Sequence, residues 1–153
     1  MRTVRNSKKW LWLCSFALSL SVSACHTPGH SCLDLRADVS LNLYEGQPHA
    51  TNLYIYPLSD SLAFGQTSAD ALLGGAKPAG MTQPDPLQVT IFPGQQDIEL
   101  DQQFAENTKE IGVLADYYRE RGDAEGTRTT VVRAICGRRT PRLYMSVSDL
   151  RVE

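Results

Sequence analysis

The sequence predicts an all-β sandwich of about seven or eight strands with one short helix, and three observations carry that prediction. Apolar and polar residues alternate with period two in segment after segment, the signature of half-buried strands. Turn residues, chiefly Gly, Pro, Asn and Asp, punctuate those segments at short intervals. A single stretch carries both a helix start and a helix stop signal. Strands that are apolar on one face must bury it against a second sheet, so a sandwich is the natural architecture at this size.

Taken in order, Leu35, Ala37, Val39, Leu41 and Leu43 alternate with Arg36, Asp38, Ser40, Asn42 and Tyr44, which predicts one long first strand. Glu45, Gly46, Gln47, Pro48 and His49 break it with turn chemistry, and residues 51–58 resume it until Pro57 is expected to stop the strand. Ser68 is a good N-cap for a short helix over Ala69–Leu73 ending at Gly74-Gly75, with Leu72 and Leu73 expected to cover an end of the core. Residues 77–86, with three prolines, read as a surface loop. Strands follow at 87–92 and 97–100, joined through Pro93-Gly94. Ile111, Val113, Ala115 and Tyr117 mark a central strand, and residues 122–126 a polar turn. Strands over 129–135 and from Leu143 through Met145 and Val147 to about Val152 complete the set.

The N-terminus reads as a processing signal rather than part of the fold. Arg2, Arg5, Lys8 and Lys9 precede a short apolar run, too short to cross a bilayer, that ends in Val22-Ser23-Ala24-Cys25. That pattern is a lipobox: the Cys25 thiol takes a diacylglycerol, cleavage leaves Cys25 first, and the finished anchor carries three acyl chains. Each buried methylene contributes about 0.8 kcal/mol, so the anchor is effectively permanent. The expected organisation is a signal peptide over 1–24, a lipidated tether over 25–33 and a sandwich domain over 34–153. His26, where Asp would favour inner-membrane retention, points to the periplasmic face of the outer membrane.

Removing 24 of 153 residues takes four basic side chains away, leaving eleven Lys and Arg against 17 Asp and Glu, a net charge near −6. Nucleic acid is thereby a poor partner. Arg119, Arg121, Arg128, Arg133, Arg138, Arg139, Arg142 and Arg151 crowd the last third and read as a solvated basic face, or else as a contact for an acidic partner or lipid head groups. Cys14 leaves with the signal and Cys25 is acylated, so Cys32 and Cys136 remain, either bonded in an oxidising periplasm or as two separate thiols. A bridge would close a loop of about 100 residues, for which chain entropy gives about 4.7 kcal/mol. Cys25, His26, His30 and Cys32 have metal-ligand character, but acylation and a disulfide would remove both thiolates, so no metal is expected. No cofactor motif is present.

A catalytic reading finds little support. The chain has no nucleophile elbow and no His-Glu-x-x-His, and its three histidines all precede residue 50. Asp97, Glu99 and Asp101 share one strand face, which suits the solvated side of an edge strand better than a glycosidase pair flanking a cleft.

Several segments, in order, are similar to those of TssJ, the outer-membrane lipoprotein family of type VI secretion systems. They are the lipobox, Leu41-Asn42-Leu43 with the Gly46/Pro48 loop, Leu53-Tyr54-Ile55-Tyr56-Pro57-Leu58, Phe64 with Leu72-Leu73, Ile91-Phe92-Pro93-Gly94, and Ile111-Gly112-Val113-Leu114-Ala115-Asp116-Tyr117-Tyr118-Arg119. The resemblance implies a transthyretin-like sandwich without catalytic activity, cofactor or small-molecule substrate. It also implies that the sandwich binds the C-terminal periplasmic domain of the inner-membrane protein TssM. On that resemblance, Glu45, Gly46, Gln47, Pro48, His49 and Ala50 are the expected partner contact. The Cys32/Cys136 pair and the segment from Arg138 onward depart from the family pattern. Two other lipoprotein classes share the anchor, size and cysteine pair: lysozyme inhibitors and the pilots of outer-membrane secretins.

Overall fold

The computed structural model describes residues 30–119, 127–133 and 140–153. Eight strands and two short helices follow one another as β1 (His30–Ala37), β2 (Thr51–Leu58), α1 (Leu62–Gln66), α2 (Ala69–Leu73), β3 (Leu87–Ile91), β4 (Ile98–Gln103), β5 (Glu110–Ala115), β6 (Thr129–Arg133), β7 (Arg142–Met145) and β8 (Leu150–Val152). They form two four-stranded sheets, ordered β4-β1-β7-β8 and β3-β2-β5-β6. All pairings are antiparallel except β1 with β7. Leu33, Leu35, Leu143, Met145 and Leu150 from the first sheet meet Leu53, Ile55, Ile91, Ile111 and Val113 from the second in one buried core. The all-β sandwich expected from the alternation is the observed architecture, and β5 is a central strand as its pattern required.

The alternation overran the first strand. β1 ends at Ala37, and residues 39–42 are a turn. Leu41 is fully buried, whereas Val39 is 74% and Leu43 43% exposed. Apolar spacing cannot distinguish a strand from a turn that plugs the core with one side chain in three. What ends the strand is Asp38, whose carboxylate accepts from the Ser40 N–H at 2.8 Å, the Ser40 hydroxyl at 2.6 Å and the Tyr144 hydroxyl at 2.5 Å. At its other end β1 starts at His30, inside the stretch expected to be tether.

Pro57 does not stop β2. It lies inside the strand, paired with Ile111 of β5. A proline lacks the N–H that a central strand must donate, so the neighbour on that side has to be missing. It is: the β3 ladder ends at Ile55 with Leu87, and the Pro57 carbonyl is taken up instead by the Thr82 N–H at 2.8 Å.

The outer face of β2 and β5 carries a second cluster of Tyr56, Leu58, Phe64, Leu72 and Leu114. Both helices lie over it, so Leu72 covers a sheet face rather than an end of the core. α2 begins as expected, with the Ser68 hydroxyl accepting from the Ala71 N–H. α1 has no side-chain N-cap hydrogen bond and no comparable sequence signal, and it exists to seat Phe64. The last expected strand is two, β7 and β8, folded back through a turn in which Val147 is 41% exposed. Arg128 is not on a solvated face. It is 6% exposed, with Nη1 donating to Asp70 of α2 at 2.8 Å and Nη2 3.9 Å from Asp116.

Candidate functional site

The connection between β1 and β2 is a rigid structure rather than a plain hairpin loop. Tyr44 and Gln47 exchange both backbone hydrogen bonds, at 3.0 and 3.1 Å, around Glu45 (φ 52°) and Gly46 (φ 72°). Positive φ at both central residues is what a two-residue turn matching strand twist demands. The His49 N–H returns to the Leu41 carbonyl at 3.0 Å. Asn42, 6% exposed, donates to the Ala50 carbonyl and accepts from the Tyr118 N–H at 2.7 Å. Above it, His49 stacks on Tyr44 at 3.6 Å between ring centroids, and Tyr44 stacks on Tyr118 at 4.2 Å.

Of the six residues expected to touch a partner, Glu45, Gly46, Gln47, Pro48 and Ala50 are exposed, and His49 is half-buried in the aromatic stack. The stack is the part sequence reasoning missed. Tyr44 belonged to the supposed strand and Tyr118 lies 74 residues away, so only folding joins them. The Glu45-Gly46 pair itself was legible as a turn.

The β3–β4 loop is fastened alongside. The Gly94 N–H donates to the Asp38 carbonyl, the Ala37 N–H to the Gln95 carbonyl, and Gln96 Nε2 to the Ala37 carbonyl. β1 therefore leads straight from the end where the N-terminal segment enters to the end where these loops sit. The seven steps between its eight residues, at about 3.3 Å each, separate the two ends by roughly 23 Å.

The Asp38 anchor predicts a pH dependence. The three hydrogen bonds from Ser40 and Tyr144 hold the Asp38 carboxyl down at about 2, and the same carboxylate pushes the Tyr144 phenol up. A carboxyl lowered in the folded state adds stability that is complete above its unfolded value of 3.8 and is lost as pH falls toward 2. Asp38→Asn is thus expected to melt below the native protein at pH 7 and to converge with it near pH 2, read by urea titration at each pH. A gap independent of pH would refute this anchor.

The other candidate residues are dispersed. Asp97 immediately precedes β4 and pairs with Arg36 at 3.0 Å, while Glu99 and Asp101 lie exposed on β4, an edge strand. Cys32 of β1 is disulfide-bonded. Cys136, its expected partner, and Cys25 with His26 lie outside the described residues, as do Arg121, Arg138 and Arg139. Among the described residues no helix is long and apolar enough to cross a membrane.

No family model and no curated protein matches the chain. Solved structures do. Lip of Serratia marcescens, a membrane bound component of the Type VI Secretion System, aligns with a TM-score of 0.64 at 21% identity, over 82% of this chain and 96% of that one. The T6SS lipoprotein TssJ1 from Pseudomonas aeruginosa aligns at 0.62 and 23% identity, over 82% and 95%. A chain in a structure of the T6SS protein TssM C-terminal domain from EAEC aligns at 0.66 and 21% identity, over 81% and 97%. Over more than four-fifths of its length, the chain has the fold of the TssJ and Lip lipoproteins of the type VI secretion system.

Proposed function

We propose that this protein is a non-catalytic lipoprotein of a type VI secretion membrane complex. In this reading Cys25 carries the lipid, the anchor sits in the outer membrane on its periplasmic face, and residues 45–50 dock the C-terminal periplasmic domain of a TssM-like inner-membrane protein. The observation that carries the reading is the direction of β1. The strand starts five residues after Cys25, so a segment with a reach of at most about 17 Å holds the β1 start near the bilayer. The loop at the far end of β1 then faces the periplasm, from which an envelope-spanning partner would arrive. The fold shared with TssJ1, and with a chain in a TssM domain structure, supports the same partner. Cys32 is assigned to a bond with Cys136, joining β1 to the segment that follows β6.

Rigidity suits the loop to docking, because the turn and stack have already lost the freedom that binding would otherwise remove. Replacing Gln47-Pro48-His49 with Gly-Ser residues is expected to abolish capture of the TssM-like protein from detergent-solubilised envelopes while leaving the melting temperature within a few degrees. Capture that survives the replacement, or capture of a lysozyme or a secretin instead, would refute the assignment.

A further inference from the structure

Eight large apolar side chains stand well exposed among the described residues, and four of them, Val39 (74%), Leu43 (43%), Phe92 (54%) and Tyr118 (48%), cluster at the loop end of the sandwich. Singly exposed apolar residues are ordinary, but a gathered patch marks a contact surface. The gathering is enforced by backbone. Gly94, at φ 74°, donates to Asp38, and a Cβ built on it would lie 3.4 Å from Val39 Cγ1, so Val39 rests against the turn that follows Phe92. The Phe92 N–H is itself held by the Gln95 side chain at 2.8 Å. Ile91 and Ala115 pair with Thr51 and Leu53, and extending those registers, by one step on the β3 side and three on the β5 side, puts Phe92 and Tyr118 on either side of Ala50.

Charge at this end is used up with one exception. Asp38 is held by Ser40 and Tyr144, Asp97 by Arg36, Asp116 lies 3.9 Å from Arg128, and Arg119 is already engaged. Glu45, exposed at the tip of the turn, enters no ion pair among the described residues.

We infer that Val39 and Phe92 are the apolar anchors of the docking surface, and that the partner covers them with an apolar patch bordered by a Lys or Arg that meets Glu45. The contact then spans both the β1–β2 and β3–β4 loops instead of residues 45–50 alone. This rests on the docking reading above. Both anchors are presented rigidly, so their burial carries little ordering cost, the property of residues that dominate interfaces.

The test measures binding of the processed lipoprotein, in detergent micelles, to the purified C-terminal periplasmic domain of the TssM-like protein. Val39→Ser with Phe92→Ser is expected to weaken binding by about 30-fold or more. Glu45→Lys should weaken it most at low salt, and Leu62→Ser, equally exposed on α1, should leave it unchanged. If the double variant binds as the native protein does while the Gly-Ser loop variant fails, the anchors are wrongly assigned and the docking reading stands. If the native protein does not bind, or neither variant alters binding, both fail. An equal loss from Leu62→Ser would also overturn the assignment, since any exposed apolar residue would then serve. Circular dichroism of each variant separates lost contact from lost fold.

Discussion

Cys25→Ser is expected to move the protein completely from the membrane fraction to the soluble periplasmic fraction without altering its melting temperature. On the proposed function, three acyl chains at about 0.8 kcal/mol per buried methylene supply the membrane affinity, and among the described residues no helix is long and apolar enough to cross a membrane. The fold should be indifferent, because β1 begins only at His30 and the core draws on residues from Leu33 onward. Fractionation followed by thermal melting of the released protein checks both halves. A variant still sedimenting with outer membranes would mean that another surface, with the basic C-terminal third as the first suspect, holds the protein there.

The second large effect is structural. Gly112→Val is expected to destabilise the domain by about 3 kcal/mol, combining overpacking with displacement of a buried aromatic ring. A Cβ at this position would stand 2.7 to 2.8 Å from Cε2, Cδ2 and Cζ of Phe64, so the ring lies directly on the bare backbone of β5. It cannot slide aside, because Tyr56 meets it at 5.3 Å between centroids and Leu58, Leu72 and Leu114 close the rest of the cluster. Phe64 would have to leave, and α1 with it. The melting temperature should fall by about 10 °C. Combining Gly112→Val with Phe64→Ala should cost less than the sum of the two alone, since the alanine removes the ring that the valine clashes with and the valine fills part of the space the ring leaves. A valine variant melting within about two degrees of native would show that the ring does not need the glycine.

Gly112 also shows how far the sequence could be read. Its place in Ile111-Gly112-Val113 was visible, and so was the strand around it, because period-two alternation is a local property of the chain. The reason for a glycine there was not visible, since Phe64 reaches it from another element that no capping signal announced. The same division runs through the candidate site. Glu45-Gly46 declares its turn locally through the need for positive φ, while the aromatic stack that braces it draws on Tyr118, brought in by strand β5.

By itself, then, the sequence determined the class of fold, most strand positions and the Ser68-capped helix, because each depends on neighbours a few residues apart. Tertiary structure decided where β1 ends, through Tyr144 reaching Asp38 across 106 residues, and whether Pro57 could sit in a central strand, through the early end of β3. It decided that Arg128 is buried against Asp70, and that Val39 and Phe92 stand together. The physical reason is the same in each case: burial, ion pairing and the satisfaction of backbone donors depend on which distant segment arrives, and periodicity holds no record of that.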